Sequence, residues 1–151
     1  MLIVYFDVCC YNRPFDDSLD DRIELEANAI ISIMYRCKQG NWEICSSEIV
    51  DVEVSNIKDE YKKDKVKMLV SVKDTQIKVC EDIVSRAYEL QEFGIKPYDS
   101  LHISCAEYGN ADIFFTTDDK LIKKCKFINT RVKVCNPVTW LMEVTEDEGS
   151  Y

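Results

Sequence analysis

The sequence offers little that would place the protein in a membrane or outside the cell. Its longest apolar run near the start is LIVYF, from Leu2 to Phe6, whereas a membrane-spanning helix needs roughly 20 such residues. A signal peptide would show a basic start and a longer apolar region, and neither occurs. We therefore expect a cytoplasmic protein whose eight cysteines remain reduced.

Ligands for a zinc site are also scarce. The chain has one histidine, His102, and no two cysteines in a C-x-x-C arrangement, although zinc fingers need such spacings. Most cysteines have apolar neighbours and are expected to pack as small hydrophobic residues. For His102 we favour a packing and hydrogen-bonding role within a helix layer over a role in acid–base chemistry.

Basic residues are outnumbered by acidic ones, 19 to 28, which gives a formal net charge of −9. Proteins that hold nucleic acid by bulk attraction need lysine and arginine, so the sequence argues against that mode of binding. Residues 120–133 depart from this trend, because they contain no acid and follow directly after Asp118 and Asp119. The basic residues of this stretch are Lys120, Lys123, Lys124, Lys126, Arg131 and Lys133.

Short apolar segments alternate with amphipathic ones, which predicts an α/β fold with a parallel sheet covered on both faces. Buried strands are predicted at LIVYF, WEIC, DIFFTT and RVKVC. Helices are predicted over 20–38, after 46–47, and over 61–70, 75–93, 98–109, 118–125 and 137–144. NRPFDDSLDD is typical of a loop. We expect one domain over 1–144 and a flexible acidic tail over 145–151.

Acidic residues stand at the ends of the predicted buried strands. Asp7 directly follows LIVYF, and Asp118 follows IFFTT. Because parallel strands end at a common edge, we expect these two carboxylates to lie close together. Asp99 opens a helix, and the helix after WEICSS offers Glu48 or Glu53. Taken alone, Asp99 and Asp118 fit helix N-caps, so the combination with Asp7 is what indicates a site.

Three or four carboxylates at one edge would repel one another unless a cation neutralised them. Mg²⁺ prefers oxygen ligands and commonly links protein carboxylates to substrate phosphates. A bound divalent ion also lowers the pKa of a coordinated water molecule and stabilises charge on a phosphoryl oxygen. The pattern therefore indicates metal-dependent chemistry at phosphate groups.

Four segments of the chain, in this order, resemble the acidic motifs of PIN-domain ribonucleases. They are LIVYFDVCCYNRPF, SSEIVDVE, PYDSLHISCAE and IFFTTDDKLIKK. The resemblance implies a three-layer α/β/α sandwich with a central, mainly parallel sheet. It also implies an endoribonuclease that hydrolyses RNA phosphodiesters with Mg²⁺ or Mn²⁺, and the family includes the toxins of many bacterial toxin–antitoxin pairs.

By position, the resemblance assigns the catalytic and metal-binding roles to four acids. Glu53 is preferred over Glu48, because the family's glutamate lies well beyond the strand-end serine, which is Ser47 here. The four acids are Asp7, Glu53, Asp99 and Asp118.

The resemblance also suggests auxiliary residues and partners. An antitoxin protein and a second copy of the chain in a homodimer are the implied protein partners, with RNA as the substrate. Cleavage of the family type leaves 5′-phosphate and 3′-hydroxyl ends. The auxiliary candidates are Asp119 and Asn12, and the candidates for contact with the RNA backbone are Lys120, Lys123 and Lys124.

A second hypothesis stays open. The acidic loop DDSLDD and the net charge of −9 would also suit a PIN-like module that no longer cuts RNA and acts through protein–protein contacts. Binding of Mn²⁺ through the four acids discriminates between the two, since a degenerate module should not show it.

Overall fold

The structure is a computed structural model, and it describes residues 1–17 and 19–149. The strands are β1 (Leu2–Phe6), β2 (Trp42–Ser47), β3 (Thr75–Ile77), β4 (Ile113–Phe115) and β5 (Lys133–Cys135). The helices are α1 (Val8–Asn12), α2 (Asp21–Lys38), α3 (Glu48–Ser55), α4 (Glu60–Val70), α5 (Glu81–Glu92), α6 (Pro97–Tyr108), α7 (Asp119–Cys125) and α8 (Pro137–Gly149), with a 3₁₀ turn at Arg13–Phe15.

The five strands form one parallel sheet in the order β3-β2-β1-β4-β5. Strand β1 lies at the centre, where Val4 aligns with Ile44 of β2 and with Ile113 of β4. Helices cover a parallel sheet on both faces, so its central strands must be apolar on both sides. The predicted sandwich with a central parallel sheet is confirmed.

The core explains why these segments form strands. The side chains of Tyr5 and Phe6 in β1 and of Phe114 and Phe115 in β4 are fully buried, and the rings of each neighbouring pair lie 5.4 and 5.2 Å apart. Trp140 of α8 packs edge-on against Phe115. Phe114 and Phe115 are therefore core residues, as expected from the sequence.

The helix predicted over 75–93 is wrong in its first part. Residues Thr75–Ile77 form the edge strand β3, which pairs with Cys45–Ser47 of β2, and helix α5 begins only at Glu81. Two of the three side chains of β3 are exposed, so the strand has almost no hydrophobic pattern to distinguish it from a helix.

The loop predicted over 12–21 is shorter in the structure, because α1 and the 3₁₀ turn extend to Phe15 and Ser18 lies outside the described residues. Helix α8 continues to Gly149, beyond the start of the tail expected at 145–151, and residues 150–151 lie outside the described part. No helix in the described residues is long and apolar enough to cross a bilayer.

Candidate metal centre

The order of the strands reverses next to β1. From β1 the chain adds β2 and β3 on one side and then crosses over to add β4 and β5 on the other. Beyond the carboxyl ends of the strands at such a reversal, the loops diverge and leave a crevice. The backbone N–H of Asp7 donates to the carbonyl of Phe115 at 2.9 Å, so the ends of β1 and β4 lie side by side at this point.

Asp7 is fixed at the mouth of this crevice. As the N-cap of α1, its Oδ1 accepts a hydrogen bond from the N–H of Val8 at 2.8 Å. Its Oδ2 accepts from the hydroxyl of Thr116 at 3.0 Å and, more weakly, from the thiol of Cys9 at 3.5 Å. Burial raises the pKa of Asp7 above its ordinary value, because desolvation disfavours the charged form.

Glu53 and His102 approach Asp7 from two helices. Glu53 lies on α3 and contacts Nε2 of His102 on α6 through Oε1. The same Nε2 lies 4.0 Å from Oδ1 of Asp7. Among the described residues, Asp7, Glu53 and His102 form the one group of possible protein ligands whose donor atoms all lie within 4.8 Å of one another.

Behind His102, a buried chain of polar groups leads back into the sheet. Nδ1 of His102 lies 2.7 Å from the hydroxyl of Tyr5, which lies 2.6 Å from Oγ of Ser47. Ser47 in turn caps α3 by accepting from the N–H of Ile49 at 3.2 Å. His102 is fully buried, as expected, but one of its partners is a predicted site acid rather than only a neighbour in the helix layer.

Asp99 lies in the first turn of α6 and is affected by the charges of the other three acids. Its pKa is raised to about 6, first by desolvation and then by the negative charge of Asp7, with smaller contributions from Asp118 and Glu53. No group in the described part of the chain donates a hydrogen bond to its carboxylate. The four predicted acids therefore share one electrostatic environment.

Asp118 and Asp119 are neighbours in sequence but face different partners. Asp118 is the N-cap of α7, and its Oδ1 accepts from the N–H groups of Lys120 and Leu121 at 3.0 and 3.3 Å. Asp119 instead receives two hydrogen bonds from the guanidinium group of Arg22, at 2.7 and 2.8 Å. Asp119 therefore pairs with Arg22 rather than with Asp118, and its auxiliary role stays a prediction.

The acid centre, defined as Asp7, Glu53, Asp99 and Asp118, has no basic partner other than His102. Within residues 1–17 and 19–149, no lysine or arginine forms an ion pair with any of these four carboxylates. Oxygen ligands that lack a protein counter-charge are what hard divalent cations bind. The chemistry of these side chains therefore fits a divalent metal ion.

The predicted lysines divide into two groups. Lys120 and Lys124 line a cavity of about 40 Å³ together with Asp99 and Asp118. The ammonium group of Lys124 donates to the carbonyl of Gly94 at 2.9 Å, so Lys124 already has a partner. Lys123 is exposed on the same short helix.

The remaining candidates occupy different surroundings. Oε2 of Glu48 accepts from the N–H of Val79 at 3.1 Å, which ties Glu48 to the segment after β3. Asn12 ends α1, and its Oδ1 is buried with no hydrogen-bond partner among the described residues. The roles of Tyr5 and Thr116 could not be predicted from the sequence, because each residue lies in an apolar strand or at its end.

The PIN domain family model matches residues 20–127, and the chain belongs to the PIN domain family. Its β1, with Asp7, precedes the matched region. No curated protein matches the chain significantly.

Solved structures with the same fold cover nearly the whole chain. One is VapBC2 from Rickettsia felis, bound to a DNA fragment from its own promoter. It is 23% identical to this chain, with a TM-score of 0.61, and the match covers 89% of this chain and 98% of that one. A toxin–antitoxin complex from Klebsiella pneumoniae is 18% identical, with a TM-score of 0.59 over 89% and 97%. FitAcB from Neisseria gonorrhoeae is 12% identical, with a TM-score of 0.59 over 89% and 97%.

Proposed function

We propose that this protein is a metal-dependent endoribonuclease, that the acid centre is its active site, and that it is the toxin of a toxin–antitoxin pair. The observation that carries the proposal is the convergence of four carboxylates, without lysine or arginine partners, where the strand order of a PIN fold reverses. Uncompensated acids destabilise a fold through repulsion and desolvation, so a bound cation gives a reason for their position.

In this proposal, Asp7, Glu53, Asp99 and Asp118 hold one or two Mg²⁺ or Mn²⁺ ions. A bound divalent ion supplies an activated water molecule and stabilises the charge that develops on phosphoryl oxygens. The protein fixes the carboxylates that surround it. Thr116 and the N–H of Val8 orient the Asp7 carboxylate, and the backbone at the start of α7 orients Asp118.

The substrate is proposed to be RNA, approached from the side of α7. Lys120 lies in the same cavity as Asp99 and Asp118, where an ammonium group would attract the phosphate backbone. Lys123 adds a second positive charge on this helix. Since Lys124 is bonded to Gly94, we assign it a smaller part in RNA binding than the sequence suggested.

An antitoxin protein is the proposed partner. The similarity to a toxin–antitoxin complex from Klebsiella pneumoniae supports it, as does the net charge of −9, which leaves most of the surface unsuited to nucleic acid. A homodimer is the proposed assembly of the free protein.

The test is cleavage of a single-stranded RNA by the purified full chain with Mg²⁺, with Mn²⁺ and with EDTA. Wild-type protein should cleave with either ion and not with EDTA, and Asp99→Asn should abolish cleavage. Asp82→Asn is the matched control, because Asp82 is also an aspartate in the first turn of a helix, α5, but is exposed and lies beside Arg86. Its activity should equal that of the wild type.

Full activity of Asp99→Asn would contradict the assignment of the site. Absence of both cleavage and Mn²⁺ binding in the wild type would instead favour the alternative, a PIN domain that acts only through protein–protein contacts.

A further inference from the structure

The side chain at the centre of the site is not an acid but the single histidine of the chain. His102 is fully buried, and its Nε2 is directed at two of the acids, in contact with Glu53 and 4.0 Å from Oδ1 of Asp7. A histidine that served only to fill space would have no need to present a ring nitrogen to this crevice.

We propose that Nε2 of His102 is a direct ligand of the divalent ion, together with carboxylate oxygens of Asp7 and Glu53, so that the site selects a transition-metal ion such as Mn²⁺ over Mg²⁺. This inference rests on the proposed function, because it concerns the ion of the same site. It makes the donor set one nitrogen with oxygens rather than oxygens alone.

The distances permit a shared ion. Two ligands that each lie about 2.1 Å from one ion can be at most about 4.2 Å apart. The three donor atoms lie within 4.8 Å of one another, so the longest separation needs to shorten by well under an ångström. Oε1 of Glu53 is in hydrogen-bond contact with Nε2 and has to move away from the ring, because adjacent ligands of one ion lie about 3 Å apart. Glu53 is only partly buried, on a helix that packs against α6, and its side chain has room for such a shift.

The hydrogen bonds behind the ring prepare it for this role. A histidine that ligates a metal through one nitrogen almost always donates a hydrogen bond from the other. Here Nδ1 lies 2.7 Å from the hydroxyl of Tyr5, which can accept from Nδ1 and donate to Ser47 at 2.6 Å. In this arrangement Nε2 carries the lone pair that a metal needs. If the hydrogen bonds among Ser47, Tyr5 and His102 run in the opposite direction, Nε2 carries the proton and donates it to Glu53.

The nitrogen ligand sets the preference among ions. Mg²⁺ favours oxygen ligands and near-octahedral geometry, whereas imidazole binds first-row transition metals well, and affinity rises along that series from Mn²⁺. A site of four carboxylates would discriminate little against Mg²⁺. A site that includes His102 favours Mn²⁺ and, further along the series, Co²⁺.

The test uses the untagged full chain, because a histidine tag would add other imidazoles. Electron spin-echo envelope modulation of bound Mn²⁺ should show coupling to ¹⁴N of imidazole, and feeding ¹⁵N-labelled histidine should replace that coupling by the ¹⁵N pattern. With one histidine in the chain, the signal can come only from His102, and no variant has to fold. Calorimetry should then show that His102→Gln reduces the ratio of Mn²⁺ to Mg²⁺ affinity by about tenfold or more.

Each other outcome has a distinct meaning. Binding of Mn²⁺ without imidazole coupling, together with a parallel loss of affinity for both ions in His102→Gln, would overturn the inference. His102 would then only position Glu53, and the proposed function would stand. Failure of the wild-type chain to bind either ion would overturn the inference and the proposed function together.

Discussion

Asp7 of the acid centre and Glu26 of α2 are both buried carboxylates, and their surroundings differ. Glu26 is only 1% exposed, yet its two oxygens accept hydrogen bonds from Nε of Arg13 at 2.8 Å, from Nε of Arg22 at 3.2 Å and from Nδ2 of Asn136 at 2.7 Å. We call these four residues the Glu26 network. The acid centre has no arginine or lysine partner in the described residues.

A second buried acid follows the pattern of the Glu26 network. Glu107 of α6 is 3% exposed and is paired with Arg86 at 2.8 Å and with the backbone N–H of Arg131 at 2.8 Å. Among the described residues, each of the two buried acids outside the acid centre therefore has an arginine partner. The absence of such a cation around Asp7 and Asp99 separates acids that stabilise this fold from acids that the fold holds ready for a ligand.

The largest expected effect is a difference in stability between the two regions. Glu26→Gln should lower the free energy of unfolding by about 3 kcal/mol, because the buried carboxylate loses its charge-assisted hydrogen bonds and the new amide group would face the donors of Arg13, Arg22 and Asn136. Asp99→Asn, in contrast, should leave the stability of the metal-free protein unchanged or higher, since it removes a repelled charge. Urea unfolding at pH 7 with EDTA measures both. Equal losses in the two variants would show that the acid centre is as structural as the Glu26 network.

Metal binding should stabilise only the proteins in which the acid centre is intact. A ligand at a concentration of 100 times its Kd stabilises the native state by about 2.7 kcal/mol. Mn²⁺ at such a concentration should therefore raise the Tm of the wild type, and of Glu26→Gln by a similar amount. The rise should be largely lost in Asp99→Asn. A rise of equal size in all three proteins would mean that Mn²⁺ binds elsewhere.

The same contrast explains what could be predicted from the sequence. Asp7 and Asp118 were found because they end apolar runs, and parallel strands place such ends together. Glu53 needed the family resemblance, since nothing in its own helix distinguishes it from Glu48. The contact between Glu53 and His102 depends on how α3 packs against α6, which no local pattern encodes.

The Glu26 network was missed for a related reason. Glu26 and Arg22 lie one turn apart in a long helix, where such a pair is typical of a solvated face. What distinguishes Glu26 is its hydrogen bonds with Arg13 and Asn136, which lie outside this helix. The strand β3 was missed because edge strands need little apolar pattern, while the central strands are unmistakable because both of their faces are covered.

The free energy of unfolding should depend on pH through Asp99 of the acid centre. The expected effect is about 1 kcal/mol, after allowance for solvent screening of a half-buried group. The pKa of Asp99 is raised from 3.8 to about 6, so the native state binds this proton more tightly than the unfolded chain does. Stability of the metal-free protein should therefore fall as the pH rises from about 4 to 6. Asp99→Asn should show a flatter profile in urea unfolding with EDTA, although Asp7 keeps part of the slope. A profile identical to the wild type would contradict the crowding of these carboxylates.

The smallest expected change in stability concerns Asp118 and Asp119. Asp118 belongs to the acid centre, and its neighbour Asp119 contacts the Glu26 network. Asp119 belongs with the Glu26 network, because Arg22 pairs with both. The side chains of Arg22 and Asp119 are 52% and 66% exposed, and exposed pairs of this kind contribute about 0.5 kcal/mol. Asp119→Asn should therefore cost little stability and leave RNA cleavage intact.

Asp118→Asn is the matched partner of that variant, since it makes the same substitution one residue earlier. An asparagine can still cap α7 through its side-chain oxygen, so stability should again change little. Cleavage and Mn²⁺ affinity should nevertheless fall, because the carboxylate beside Asp99 loses its charge. If both variants lost activity equally, Asp118 and Asp119 would both be needed for cleavage. The distinction between acids with and without an arginine partner would then not apply to these two neighbours.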